Sequence, residues 1–176
     1  MITNADSSEG KTTVAVNLSV VLDQGGKRVT LIDADMRHPS IHKRLDNPNR
    51  PGLSSLFVLG DETLNGSVQK TRIENLAMIT SGDLPPNPSE LLGSQKMRQI
   101  LGQAKRISDI IVIDTPPIMA VTDAAVLCAK VDGVLLVVEP GKTGLASARY
   151  TVEQMQWVGA SLLGVVLNNL DMGSAR

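Results

Sequence analysis

Aromatic residues are almost missing from this chain: among 176 residues there are one Phe, one Tyr and one Trp. Phe57, Tyr150 and Trp157 are too few to build a platform on which successive nucleobases stack. Neither sign of charge is in excess either, with 17 Lys and Arg against 18 Asp and Glu. A net charge of −1 argues against a sequence-independent nucleic-acid binder, so no nucleic-acid partner is expected. The single cysteine, Cys128, cannot make an internal disulfide. It lies in the apolar stretch Ala-Ala-Val-Leu-Cys-Ala, the setting of a buried structural thiol in a reducing compartment. No apolar run approaches the ~20 residues of a membrane span, and Met1-Ile2-Thr3-Asn4 has neither the basic nor the apolar part of a secretory signal.

What is present fits one globular domain over residues 1–176, with 42% hydrophobic residues to build a core. Val14, Leu18, Val21 and Leu22 recur at helical spacing, and Gly25-Gly26 stops that helix. Val29 to Asp33, Leu76 to Thr80, Ile110 to Ile113, Val134 to Val138 and Leu162 to Leu167 read as strands. The run at Ile110 is apolar throughout, as expected of a central parallel strand buried on both faces. Ser89 is expected to cap a helix carrying Leu91, Leu92, Met97, Ile100 and Leu101, and Thr143 to Val158 a second one ended by Gly159. From His38 to Gly60 the chain is rich in Pro, Asn, Arg and Gly, which predicts irregular structure with one or two short helical turns. His38 and His42 in that stretch read as a solvated pair, because Pro39 lies between them and no Glu follows the first His. Only a few residues precede the first loop, whereas a buried strand has about 5–6, so a first strand cut short is expected. The alternation of strands and helices predicts an α/β fold with a parallel sheet covered by helices on both faces.

Chemistry concentrates in Ala5 to Thr13, Ala-Asp-Ser-Ser-Glu-Gly-Lys-Thr-Thr, placed between a short apolar lead-in and the first helix. Such a loop holds polyphosphate on its backbone N–H groups and the helix N-terminus. Lys11 would reach the β and γ phosphates and Thr12 would give its hydroxyl to Mg²⁺. The first glycine of the common phosphate-loop pattern is replaced by Ala5. Gly141-Lys142-Thr143 repeats the tripeptide, but Leu136 stands where that glycine belongs, so the second copy reads as an ordinary loop. Other polar residues fall at or just past strand ends: Asp33 and Asp35, Ser81 and Gly82, Asp114, Glu139 and Asn168. They mark one ligand edge, the carboxyl edge where open α/β sheets bind. Thr12 with carboxylates is a sufficient protein set for a nucleotide-bound Mg²⁺.

With these motifs together the chain resembles the bacterial tyrosine kinases of capsule and exopolysaccharide assembly. Glu9 to Thr12 matches the end of their loop. Asp33, Asp35 and Arg37 match the Asp-x-Asp-x-Arg motif called Walker A′, and Asp114-Thr115-Pro116-Pro117 matches their Walker B. Pro85-Pro86-Asn87-Pro88-Ser89-Glu90-Leu91-Leu92, Val121-Thr122-Asp123-Ala124, Asp132-Gly133 and Gly164 to Asn168 extend the resemblance over nearly the whole chain. The resemblance implies a three-layer P-loop NTPase-like fold related to the Min and Par deviant-Walker ATPases. It further implies an ATP-dependent protein-tyrosine kinase, with ATP or ADP and Mg²⁺ as cofactors. By that likeness Ser8, Glu9, Gly10, Lys11, Thr12, Thr13, Arg37 and Asn168 would contact ATP, with Asn168 at the adenine. Thr12, Asp33, Asp35 and Asp114 would hold the metal. Lys11, Asp33, Asp35 and Asp114 would be catalytic, either Asp33 or Asp35 taking the proton of the acceptor hydroxyl, with Asp33 favoured. The implied partners are a membrane polysaccharide co-polymerase, the tyrosine-rich tail of this or a neighbouring subunit, and further copies in an oligomeric parent. The implied location is the cytoplasmic face of the membrane.

The chain departs from that family in carrying Ser7 and Ser8 where Pro and Gly are commoner, and it has no tyrosine-rich tail. Two other readings stand beside the kinase: a partitioning-type ATPase switch, against which Asp6 in place of the signature lysine speaks, and a degenerate nucleotide-binding interaction module.

Overall fold

The computed structural model describes residues 1–58, 64 and 66–170; the expected irregular stretch reaches beyond them at Gly60, and Gly173 to Arg176 also lie outside them. In chain order the elements are β1 (Ile2–Asn4), α1 (Lys11–Gln24), β2 (Val29–Asp33), α2 (Ile41–Arg44), α3 (Leu53–Val58), β3 (Gln69–Lys70) and β4 (Leu76–Ile79). They continue with α4 (Pro88–Gly93), α5 (Gln95–Ile107), β5 (Ile110–Asp114), α6 (Asp123–Cys128), β6 (Val134–Val138), α7 (Leu145–Trp157) and β7 (Leu162–Leu167). The strands form one seven-stranded sheet in the order β3-β4-β2-β5-β1-β6-β7.

Every pairing is parallel except β3 with β4, a two-residue antiparallel edge that lacks a long apolar run and that the sequence pattern does not announce. The register aligns Asp33 with Asp114 and Ile2 with Asp114. The last residues of β2 and β5 therefore lie beside each other, next to the strand that feeds the phosphate loop. Here the chain order reverses across the sheet, with β2 on one side of β1 and β6 on the other, and such a switch point is where open sheets form ligand crevices.

Alternation along the central strands divides the core. Leu31, Met78 and Val112 join Ala15 of α1 on one face. Their neighbours Ile32, Ile79 and Ile113 join Met97, Ile100, Leu101 and Ala104 of α5 on the other. A third cluster holds Val134, Leu136, Ala124, Cys128 and Met155, which dock α6 and α7. Burying each large aliphatic side chain is worth roughly 1.5–3 kcal/mol, so this two-faced packing fixes the sheet edge that bears the site. Cys128 is buried and burial pushes its thiol up to about 11, as expected of a structural cysteine.

Two helix expectations need correction. The helix expected from Ser89 is broken into α4 and α5 at Ser94, whose backbone is extended (φ −70°, ψ 165°) and whose hydroxyl accepts the Met97 N–H at 3.2 Å. Ser89 is not a cap: Asn87 precedes the helix, Pro88 opens it, and the Ser89 hydroxyl bonds Asp123 instead. Helix α7 begins at Leu145, later than expected, because the Thr143 hydroxyl is engaged by the Glu139 N–H and by Glu9. His42 lies in α2 while His38 precedes it. Among the described residues no helix is long and apolar enough to cross a membrane.

Removing the Ser94 hydroxyl should cost about 1 kcal/mol of stability in urea denaturation, the usual worth of an N-cap side chain. Asn87→Ala should cost less than half as much, because Asn87 makes no cap bond. Equal losses would contradict the assignment of Ser94 as the cap.

Candidate active site

The phosphate loop is a sharp turn whose carbonyls are turned outward. Asn4 Nδ2 donates to the Asp6 carbonyl. Lys142 Nζ donates to the Ser8 carbonyl at 2.6 Å, and Asn168 Nδ2 to the Glu9 carbonyl at 2.9 Å. Ser7 and Ser8 form a tight turn, and among the described residues no acceptor takes the N–H groups of Gly10 or Lys11. Carbonyls held outward and amides left free at the start of α1 make an anion cradle. Gly10, at φ +81°, has no room for a side chain: a Cβ there would lie 1.9 Å from Asn168 Nδ2. Ser8 adopts the same left-handed region at φ +64° without being glycine.

Helix α1 then projects Lys11 and Thr12 onto the end of β5. Lys11 Nζ is 3.0 Å from Asp114 Oδ1 and 3.7 Å from Asp35 Oδ2, and the Thr12 hydroxyl donates to Asp114 Oδ2 at 2.7 Å. Asp33 is fully buried. Its Oδ2 accepts the N–H groups of Ser40 and Ile41 at 3.1 Å each, and its Oδ1 takes only a long 3.2 Å bond from the Asp35 N–H. Asp35 Oδ1 accepts the N–H of His38 at 2.9 Å and that of Arg37 at 3.3 Å, so the loop after β2 wraps back on both carboxylates. Ser40 Oγ lies 3.4 Å from the Thr12 hydroxyl.

Two carboxylates thus face one ammonium, with a third, Asp33, beside them. Burial, then the neighbouring Asp114, push the Asp33 carboxyl up to about 7. Burial also raises Asp114, although Lys11 and Thr12 oppose the shift. A cluster this short of positive charge, made of hard oxygen donors beside a free-amide cradle, fits Mg²⁺ carried with a nucleotide polyphosphate. Arg37 makes its ion pair with a fourth carboxylate: its Nε and Nη2 bind the two oxygens of buried Asp123 at 2.9 and 3.1 Å. Asp123 also accepts the Ser89 hydroxyl, which in turn takes the Thr122 hydroxyl at 2.9 Å.

The structure therefore brings together Lys11, Thr12, Asp33, Asp35 and Asp114, with Ser8, Glu9, Gly10, Thr13 and Asn168 on or beside the loop and Arg37 adjoining through its own loop. Ser81 and Gly82 are on the same edge but brace other segments: the Ser81 carbonyl takes the Ser54 N–H at 2.9 Å, and the Gly82 carbonyl takes Asn49 Nδ2 at 2.7 Å. Residue-level reading missed Asp123 as the partner of Arg37. The available signal was its place in the Val121 to Ala124 run, which carries an acid at the start of a helix.

This arrangement defines a P-loop nucleotide-binding domain, and comparison with known proteins agrees. A family described as "AAA domain" matches residues 1–162. Tyrosine-protein kinase YwqD of Bacillus subtilis (strain 168) is 42% identical over 168 residues, spanning 96% of this chain and 70% of that protein. The kinase domain of Escherichia coli tyrosine kinase ETK superposes with a TM-score of 0.93 at 35% identity, covering all of this chain and 69% of that one. The chimerical protein CapA2B2 gives 0.91 at 37% identity, over 96% of this chain and 74% of that one. The septum site-determining protein MinD of Pyrococcus horikoshii OT3, solved with Mg-ADP, gives 0.76 at 25% identity, over 94% and 68%. The chain belongs to the bacterial tyrosine kinase family of capsule and exopolysaccharide production and is an ATP-binding protein-tyrosine kinase domain.

The raised Asp33 carboxyl gives the apoprotein a defined pH dependence. Its folded value lies above the unfolded value of 3.8, so the folded state keeps an extra proton between 3.8 and about 7. That contribution is full below 3.8 and is lost as pH rises through about 7. In EDTA, urea stability should fall between pH 4.5 and 7 by up to about 1.4 kcal/mol per pH unit, and Asp33→Asn should flatten this slope. A wild-type profile that is flat or rising over that window would contradict the assignment.

Proposed function

We propose that this domain transfers the γ-phosphoryl group of Mg-ATP to tyrosine hydroxyls, using the residues gathered around Lys11. The observation that carries this reading is the placement of Lys11 between Asp114 and Asp35, with Thr12 on the other oxygen of Asp114. The free amides of Gly10 and Lys11 and the backbone of Glu9, with Ser8 and Thr13 at either end of the loop, bind the phosphates. Lys11 leaves its carboxylates to neutralise the β and γ oxygens. Thr12, Asp35 and Asp114, with Asp33 behind them, would hold Mg²⁺. When bound, that ion screens phosphate from carboxylate and offsets the charge that develops on transfer.

Asp33 Oδ1 accepts the tyrosine proton as the new O–P bond forms and the bond from the γ phosphorus to the β-phosphate oxygen breaks, releasing ADP. A tyrosine hydroxyl has a pKa near 10, so a base with elevated proton affinity is the better match. Asp33 has that elevation in the apoprotein. Arg37 orients the phosphoryl group or the acceptor, and Asn168 beside Gly10 contacts the adenine. Tyr150, the only tyrosine of the chain, is on α7 and not on a strand end that bears the carboxylates. The acceptor is therefore a separate segment, the tyrosine-rich tail of a parent chain or of a neighbouring copy in an oligomer. A membrane polysaccharide co-polymerase is the proposed activating partner, which would hold the domain at the inner face of the membrane.

With Mg-ATP and a tyrosine-rich peptide, the chain should form phosphotyrosine, and Lys11→Met should abolish it. Asp33→Asn should lower kcat by about 10²–10⁴-fold with KM for ATP within a few-fold, the usual loss for a positioned base. Phosphate release without phosphotyrosine would favour an ATPase switch, and full activity of Asp33→Asn would remove it as the base.

A further inference from the structure

Gly141-Lys142-Thr143 repeats the tripeptide of the phosphate loop, yet it lies in the connection between β6 and α7 and builds no cradle. Its side chains close on the first copy instead. Lys142 Nζ donates to the Ser8 carbonyl at 2.6 Å and to the Glu139 carboxylate at 3.2 Å. The Thr143 hydroxyl donates to Glu9 Oε1 and accepts the Glu139 N–H at 2.9 Å. The Glu9 carboxylate is fully buried, and its second oxygen takes the Asp6 N–H at 3.1 Å. Ser147, at the start of α7, adds a 3.2 Å bond to Asp6.

We propose that Thr143 and Lys142 are positioning residues which clasp the phosphate loop in its anion-binding conformation. This rests on the reading of Ala5 to Thr13 as the nucleotide loop. A loop can present its amides to phosphate only while its carbonyls point away, and one flipped peptide at Ser8 would aim an oxygen at the anion. Ser8 is the weak point, because φ +64° suits glycine and disfavours a residue with a Cβ. A glycine would adopt this conformation without that penalty, so Ser8 needs an external hold that a glycine would need less. The two clasping residues are unequal. Thr143 satisfies a buried carboxylate, whose unmet bond is costly, whereas Lys142 is half-exposed and its bond competes with water.

The test uses the whole chain and two readouts, one free of nucleotide. In the apoprotein, NMR order parameters of Ser8, Glu9 and Gly10 should be near the rigid value of about 0.85 and should fall below about 0.6 in Thr143→Val. Residues of β2 and β5 should keep theirs. The Kd for Mg-ADP should rise about tenfold in Thr143→Val and return in Thr143→Ser, which keeps the hydroxyl. Lys142→Met should weaken binding by about two- to fivefold, and in a Ser8→Gly background it should have almost no effect. Unchanged loop order in Thr143→Val would overturn the proposal, as would a loss of order spread over β2 and β5. Wild-type protein that fails to bind Mg-ADP would count against the nucleotide reading, while the order parameters would still decide the clasp.

Discussion

One ammonium group, Lys11 Nζ, faces the carboxylates of Asp114 and Asp35 with Asp33 behind them, and the site is arranged around that shortage of positive charge. The shortage is built by the sheet. Parallel pairing of β2 with β5 aligns Asp33 with Asp114, while α1, entering from the neighbouring β1, delivers the Lys11 ammonium. A buried cluster of this kind is unfavourable by itself, since isolated buried charges are costly and like charges raise one another's proton affinity. A divalent ion arriving with its polyphosphate would offset that cost. The carboxyl shifts at Asp33 and Asp114 and the proposed affinity for Mg-nucleotide are thus two expressions of one electrostatic imbalance.

The second constraint is on the backbone. Asn4, Lys142 and Asn168, from three separate parts of the chain, each hold one carbonyl of the phosphate loop outward. Amides with no competing acceptor are left for the anion, so the cradle is preorganised before any ligand arrives. Arg37 is likewise preorganised, held by the buried carboxylate of Asp123, which Ser89 of α4 also contacts. Side chains on α4, α6 and the β6–α7 connection therefore set the geometry of a site whose proposed reacting groups come from the ends of β1, β2 and β5.

Much of this was legible in the sequence, because the strongest signals are local. Apolar runs such as Ile110 to Ile113 mark buried parallel strands, and each is followed by the polar residue that the sheet edge uses. Lys11, Thr12, Asp33, Asp35 and Asp114 could be named because short-range pattern and strand-end position coincide at each of them. What escaped is long-range or depends on a single backbone turn. The break at Ser94 follows from one residue adopting an extended conformation inside a run that is otherwise helix-compatible. The pairing of β3 depends on an edge that only the folded sheet supplies. The bonds of Asp123 to Arg37 and of Thr143 to Glu9 join residues far apart in sequence, with no periodicity to expose them.

The measurement that tests the central claim most directly is calorimetric titration of the chain with ATP at pH 7, with and without Mg²⁺, in buffers of differing ionisation enthalpy. If a cation completes the carboxylate cluster, one ATP should bind per chain, at least about tenfold more tightly with Mg²⁺. Binding should release protons, because Asp33 is pushed up to about 7 in the apoprotein and deprotonates when the ion arrives. Binding indifferent to Mg²⁺ and without proton release would contradict the account, leaving the converging carboxylates as structure rather than a metal-nucleotide site.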